Sequence, residues 1–179
     1  MTQIVQIAEQ MQLSEEARAL VAVQSAPLES VACLIRARHY RDALPLSLRL
    51  LPKPYAVAWV CQCARAQTLD ERDTKGLHAA QQWMRDNDEP SRKAAQSFAE
   101  DDGYRSAGAW LAAAAAWASD GPSVEGGAPP AEHLSAVAGN AALLHLASRE
   151  PEQFDERLRQ WSEQAYALLS DVNPSERYA

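Results

Sequence analysis

Apolar residues recur every three or four positions along most of the chain, with the period of an α-helix. No segment shows the strict alternation of apolar and polar residues that is typical of a half-buried strand. We therefore predict an all-α protein of about eight to nine short helices, packed as an irregular bundle or as stacked helix pairs. Residues 38–44 resemble half of a tetratricopeptide-type repeat, but no second copy follows at a period near 34, so a repeat array is not predicted.

Helix starts are well marked in the first third of the chain. A first helix is predicted over residues 3–10, and Ser14 is the predicted N-cap of the second. Pro27 suits the first turn of the third helix. Pro45 lies inside the next predicted helix, residues 39–51, and we expect it to kink or split that helix because proline lacks an N–H and clashes with the preceding turn.

Apolar stripes predict which faces of the later helices are buried. In chain order the stripes are Tyr55, Trp59, Cys63 and Ala66; Leu77, Ala80 and Met84; Trp110 and Trp117; Leu134, Val137, Ala141 and Leu144; and Phe154, Leu158, Trp161, Ala165 and Leu168. Gly103 is a predicted C′ residue, and Ser106 a predicted N-cap of an alanine-rich helix to Ala118.

One clear break interrupts the pattern. Residues 120–131 hold three glycines and three prolines and are predicted to form a loop or short linker. Residues 173–179 are predicted to be a frayed tail. We interpret residues 1–179 as a single helical domain, because this length is common for one domain.

Composition and charge exclude several classes of function. The chain is 47% hydrophobic and 23% charged, with 17 basic and 24 acidic residues and a net charge of −7. Because basic residues are not clustered, nucleic-acid binding is disfavoured. The first residues lack the features of a secretory signal, and no apolar run is long enough to span a membrane. Three cysteines in such a chain indicate reduced thiols in a cytoplasm, and the excess of Arg over Lys indicates a bacterial source.

The cysteines and histidines form no recognisable metal or catalytic motif, so no cofactor is expected. Cys61 and Cys63 are two positions apart, and on a helix they point in different directions, which favours buried structural thiols over metal ligands. His145 borders an apolar stripe and is interpreted as a core or boundary histidine, whereas His133 at a helix start is expected to be exposed. His39 and His78 complete the set.

The carboxylates and the glycine-rich segment are also interpreted structurally. Asp86, Asp88 and Glu89 resemble the opening of a calcium loop, but Pro90 occupies the next liganding step, so a solvated turn is predicted. Asp70, Glu71 and Asp73 fit the positive end of a helix. Residues 121–126 lack the strand of a nucleophile elbow and the lysine of a phosphate loop.

Several segments together resemble a family of proteins. They are residues 40–44, 51–65, 79–86 and 107–111, followed by Pro129-Pro130, His133-Leu134 and residues 136–139. Over residues 27–169 the chain is similar to an uncharacterised bacterial family of small helical proteins, catalogued as a domain of unknown function. The resemblance implies an association with type VI secretion gene clusters and supplies no catalytic residues. The loop before the His-Leu pair is shorter here than is usual in that family.

From these observations we expect a non-enzymatic interaction protein of the bacterial cytoplasm: an adaptor, chaperone or accessory factor that binds protein partners, neither binds nucleic acid nor inserts into a membrane, and is linked to type VI secretion. An immunity-type protein is a close alternative, since an acidic surface suits a basic toxin. The third hypothesis is an enzyme whose site is built from scattered His and carboxylate residues.

Overall fold

The computed structural model describes residues 3–119 and 128–173. It is 77% helix and has no strand within those ranges, which confirms the all-α prediction. Ten α-helices are present there, slightly more than the eight to nine predicted. They are α1 (Gln3–Gln10), α2 (Glu15–Ala22), α3 (Pro27–Arg36), α4 (Tyr40–Leu50), α5 (Lys53–Arg65), α6 (Glu71–Asp86), α7 (Glu89–Asp102), α8 (Ala107–Ala116), α9 (Leu134–Ala147) and α10 (Phe154–Val172), with a 3-10 turn at Pro151–Gln153.

The helices form two compact units. Unit 1 contains α1 to α4 and, from the other end of the chain, α10. Unit 2 contains α5 to α9, within Pro52–Arg149. The prediction that residues 1–179 make one domain stays a prediction.

Unit 2 is built around α8. This helix reads AGAWLAAAAA, and every residue in it except Trp110 is buried. A helix that is apolar on all sides must be covered on all sides, and α5, α6, α7 and α9 all pack against it. Its small side chains allow the neighbouring helices to come close. Trp110 and Trp117, predicted to share a face, both lie against Tyr104, with ring centroids 5.2 and 5.9 Å away.

Unit 1 packs α10 against α3 and α4, while α1 and α2 cover the other sides of those helices. The predicted stripe on α10 is confirmed for Leu158, Trp161 and Ala165, which are buried. Phe154 and Leu168 are only half-buried, and Leu169 is buried in place of Leu168. The Ser162 hydroxyl donates a 3.2 Å hydrogen bond to the Tyr40 carbonyl and ties α10 to the start of α4.

Several predicted helix ends are confirmed by their hydrogen bonds. Ser14 caps α2 by accepting from the Ala17 amide, and Ser106 caps α8 by accepting from the Ala109 amide. Pro27 lies in the first turn of α3. Gly103 ends α7 with φ +63°, the left-handed conformation that glycine adopts without a Cβ penalty.

Pro45 does not split its helix, so that half of the prediction is wrong, and the alternative of a kink stays a prediction. α4 runs without a break from Tyr40 to Leu50, with Pro45 buried inside it. Proline removes only one backbone donor, the one that would reach the carbonyl four residues earlier. The surrounding residues 43–48 are all buried, so packing of this helix offsets the missing hydrogen bond.

Some predicted buried faces are also wrong. On α5, Trp59 and Cys63 are buried, but Tyr55 is 56% exposed and Ala66 is exposed. On α9 the predicted stripe is only half-buried, and the buried face carries mostly small residues: Ser135, Ala136, Ala138, Gly139, Ala142, Leu143, Leu146 and Ala147. On α6, Trp83 is buried where Met84 was predicted. Helices α5 and α9 each contact more than one neighbour, which buries more than a single stripe.

Two predicted segments fall largely outside the described residues. Of the loop predicted over residues 120–131, only residues 128–131 are described. Of the predicted tail, only Asn173 is described, and it ends α10. None of the described helices combines the length and the apolar character needed to cross a membrane.

Candidate functional site

The cysteines are buried in the way that the sequence predicts. Cys61 and Cys63 lie in the interior of unit 2 on α5, and Cys33 is half-buried on α3. Burial raises the pKa of both the Cys61 and the Cys63 thiol to about 12. Because the thiolate is the nucleophile and the metal ligand, thiols that stay protonated near neutral pH are unreactive.

Three of the histidines, His78, His133 and His145, belong to unit 2, and His39 belongs to unit 1. The interpretation of His145 as a core or boundary residue is wrong, because its side chain is exposed on α9. His78 is also exposed, and His133 is half-buried where exposure was expected. No three His, Cys, Asp or Glu side chains lie close enough to hold a metal ion in residues 3–119 and 128–173.

The acidic residues between α6 and α7 form helix ends. Asp88 is the N-cap of α7 and accepts from the Ser91 amide at 2.9 Å and from the Ser91 hydroxyl at 2.6 Å. Glu89 pairs with Arg92 through two hydrogen bonds of 2.6 and 2.7 Å. Asp70 caps α6 by accepting from the Asp73 amide at 2.8 Å. The predicted position of Asp70 at a helix start is confirmed, and Asp88, which was predicted in a solvated turn, is exposed and caps α7.

Asp73 is a fully buried carboxylate that the sequence analysis placed only at a helix start. One oxygen accepts a 3.0 Å hydrogen bond from the Gly108 amide on α8, and the other pairs with the Arg149 guanidinium. Arg149 also donates to the Thr68 carbonyl at 3.1 Å. Asp73 therefore connects α6, α8 and the end of α9.

Asp102, at the end of α7, is the second buried carboxylate of unit 2. It accepts hydrogen bonds from the Ser106 hydroxyl and from the amides of Ser106 and Arg105, and Arg72 lies 3.1 Å away. Burial on its own would raise the pKa of Asp102, but these hydrogen bonds and the Arg72 charge together lower it. The carboxylate is thus held ionised, and it fixes the turn between α7 and α8.

Glycines allow the Asp73 contact to form. A Cβ on Gly76 would lie 2.0 Å from the Gly108 carbonyl oxygen, and a Cβ on Gly108 would lie 2.6 Å from Asp73 Cα. Helices α6 and α8 therefore touch backbone to backbone at this point. Sequence reasoning missed the contact because Gly108 is 35 positions and Arg149 is 76 positions from Asp73.

In unit 1, a cavity of about 490 Å³ lies where α4 begins, between residues 38–42 and the first turns of α10. Arg38, His39 and Arg41 line it together with Asp155. The Arg41 guanidinium lies 4.7 Å from the centre of the Phe154 ring, in cation–π geometry.

Asp42, which also lines this cavity, lies between a serine and a histidine. It accepts from the Ser14 amide at 2.7 Å and from the Ser14 hydroxyl at 3.0 Å, and the His39 Nδ1 is 3.6 Å away. In a catalytic triad the histidine contacts the serine and the acid orients the histidine. Here the serine bonds to the acid and also caps α2, so the arrangement positions helices.

Unit 2 has two polar cavities. One, of about 490 Å³, lies between α7 and the ends of α8 and α9, with Arg92, Lys93 and Glu100 on one side and the Trp117 ring on the other. The other, of about 400 Å³, lies between α6 and α7 beside Asp102. Arg92 contacts both Glu89 and Gln96, so its charge is compensated locally.

Comparison with protein families gives a match to the family of unknown function DUF6931 over residues 30–169. That range covers most of the chain. The chain belongs to this family. The resemblance noted over residues 27–169 is confirmed as membership of a family of unknown function. In this DUF6931 member, the matched range includes helices α4 to α9, the 490 Å³ cavity of unit 1 and both buried carboxylates. No curated protein and no solved structure matches the chain.

Proposed function

We propose that this DUF6931 protein is a non-enzymatic interaction protein, an adaptor, chaperone or accessory factor of the bacterial cytoplasm that serves a type VI secretion system. The proposal rests on the buried ionisable side chains of unit 2, whose described contacts are all with other parts of the protein. Asp73 and Asp102 are both committed to hydrogen bonds that hold helices together. The interior thiols have a pKa near 12.

These groups favour a rigid scaffold over a catalyst. A general base must reach a substrate proton with a free lone pair. Both oxygens of Asp73 already accept from protein donors, and Asp102 accepts from three. Such a scaffold suits a protein that presents a fixed surface to a partner, because a preorganised surface loses little entropy on binding.

The net charge of −7 favours a second candidate, an immunity-type protein that neutralises a basic toxic partner. Opposite charge speeds the encounter of two proteins and selects between partners. The two candidates differ in the partner, which is basic and toxic for the second and is a secretion component for the first.

Quantitative affinity purification from the native host tests both candidates. Tagged full-length protein is compared with a matched variant in which Lys75→Gln and Arg85→Gln alter two exposed side chains of α6. Support requires a partner that co-elutes in stoichiometric amount and rebinds when both proteins are purified. Growth rescue on co-expression identifies a toxin. A protein that elutes alone under every condition contradicts the proposal.

A further inference from the structure

No further inference is drawn: the strongest candidate, the 490 Å³ cavity of unit 2 between α7 and the ends of α8 and α9, is lined by Arg92, Lys93 and Glu100, and these charges of both signs indicate no one class of ligand.

Discussion

At the scale of single residues, buried charge in this protein is stabilised by donors from more than one helix. Asp73 receives a backbone amide from α8 and a guanidinium from the end of α9. Asp102 receives a hydroxyl, two amides and Arg72. Removing one partner from such a group leaves a buried charge uncompensated, and that cost exceeds the benefit of the pair itself.

Asp102→Asn should lower the free energy of unfolding by about 1–3 kcal/mol at pH 7, because the amide cannot pair with Arg72. The pKa of Asp102 is depressed in the folded state, so its stabilisation is present above the unfolded value of about 3.9 and is lost as the pH falls toward the lower folded value. Urea melts at pH 7, 5 and 3 should show the two proteins converging at low pH. The exposed neighbour Asp101→Asn is the control, and a difference that does not shrink between pH 5 and pH 3 would contradict this expectation.

The thiols give a second prediction at this scale. Cys61 and Cys63 should resist iodoacetamide in the folded protein at pH 8, because burial raises the pKa of each to about 12 and excludes the reagent. Mass spectrometry should find at most Cys33 labelled, and all three residues labelled in denaturant. Cys33→Ser should then remove the native labelling. Equal labelling of the three thiols under native conditions would show that α5 is not packed as described.

At the scale of helices, the contact between α6 and α8 depends on two glycines. Alanine normally stabilises a helix by up to about 1 kcal/mol relative to glycine. At Gly76 or Gly108 the new Cβ would meet backbone atoms at 2.0–2.9 Å, and backbone cannot move aside as a flexible side chain can. Replacing either glycine with alanine should therefore destabilise the protein here, although the same replacement usually stabilises a helix.

Gly76→Ala and Gly108→Ala should each destabilise the protein by about 3 kcal/mol, the upper end of overpacking costs. Thermal melts monitored by circular dichroism measure the effect. Ala94→Gly, on the exposed side of α7, is the control and should cost only about 1 kcal/mol through helix propensity. Stabilisation by Gly76→Ala would mean that the helices lie farther apart.

Helix positions could be predicted from the sequence better than helix faces could. Caps such as Ser14, Ser106 and Gly103 act within a few residues, so local sequence contains their signal. The buried face of α9 depends on how closely α8 approaches, and the Ser135 hydroxyl bonds to the Ala114 carbonyl 21 positions away. The 490 Å³ cavity of unit 1 likewise brings residues 38–42 together with Asp155, and a pairing so distant in sequence leaves no local pattern.

Trp161 tests how much the predicted apolar stripe of α10 contributes to the stability of the fold. It is 5% exposed, and the Arg157 guanidinium lies 6.0 Å from its ring centre. Trp161→Ala should cost about 3–5 kcal/mol through lost burial and the cavity left behind. Denaturant melts should show a strongly lowered midpoint, while Gln164→Ala on the exposed side of α10 should not. Unchanged stability with loss of a bound partner would instead make this helix a binding surface.

At the scale of the whole molecule, unit 1 combines α1 to α4 with α10 from a distant part of the sequence, whereas unit 2 is continuous in sequence. The helices of unit 2 surround α8, whose apolar surface needs no helix from outside residues 52–149. The period of the apolar residues and the spacing of the basic ones were enough to predict a helical protein without basic clusters, because both are patterns along the chain. The division into units depends on contacts, so the sequence alone predicted one domain.

A fragment of residues 52–149 should therefore fold by itself. All five of its helices pack among themselves, and the Asp73 and Asp102 networks lie entirely within it. We expect a helical circular dichroism spectrum and a cooperative melt within about 10 °C of one transition of the full chain, since a compact unit of this size can melt as a two-state domain. The control carries Asp73→Ala, which should abolish cooperativity by leaving Arg149 and the Gly108 amide unpaired. A fragment that stays unfolded would show that unit 2 needs unit 1, and that residues 1–179 form the single domain that the sequence predicts.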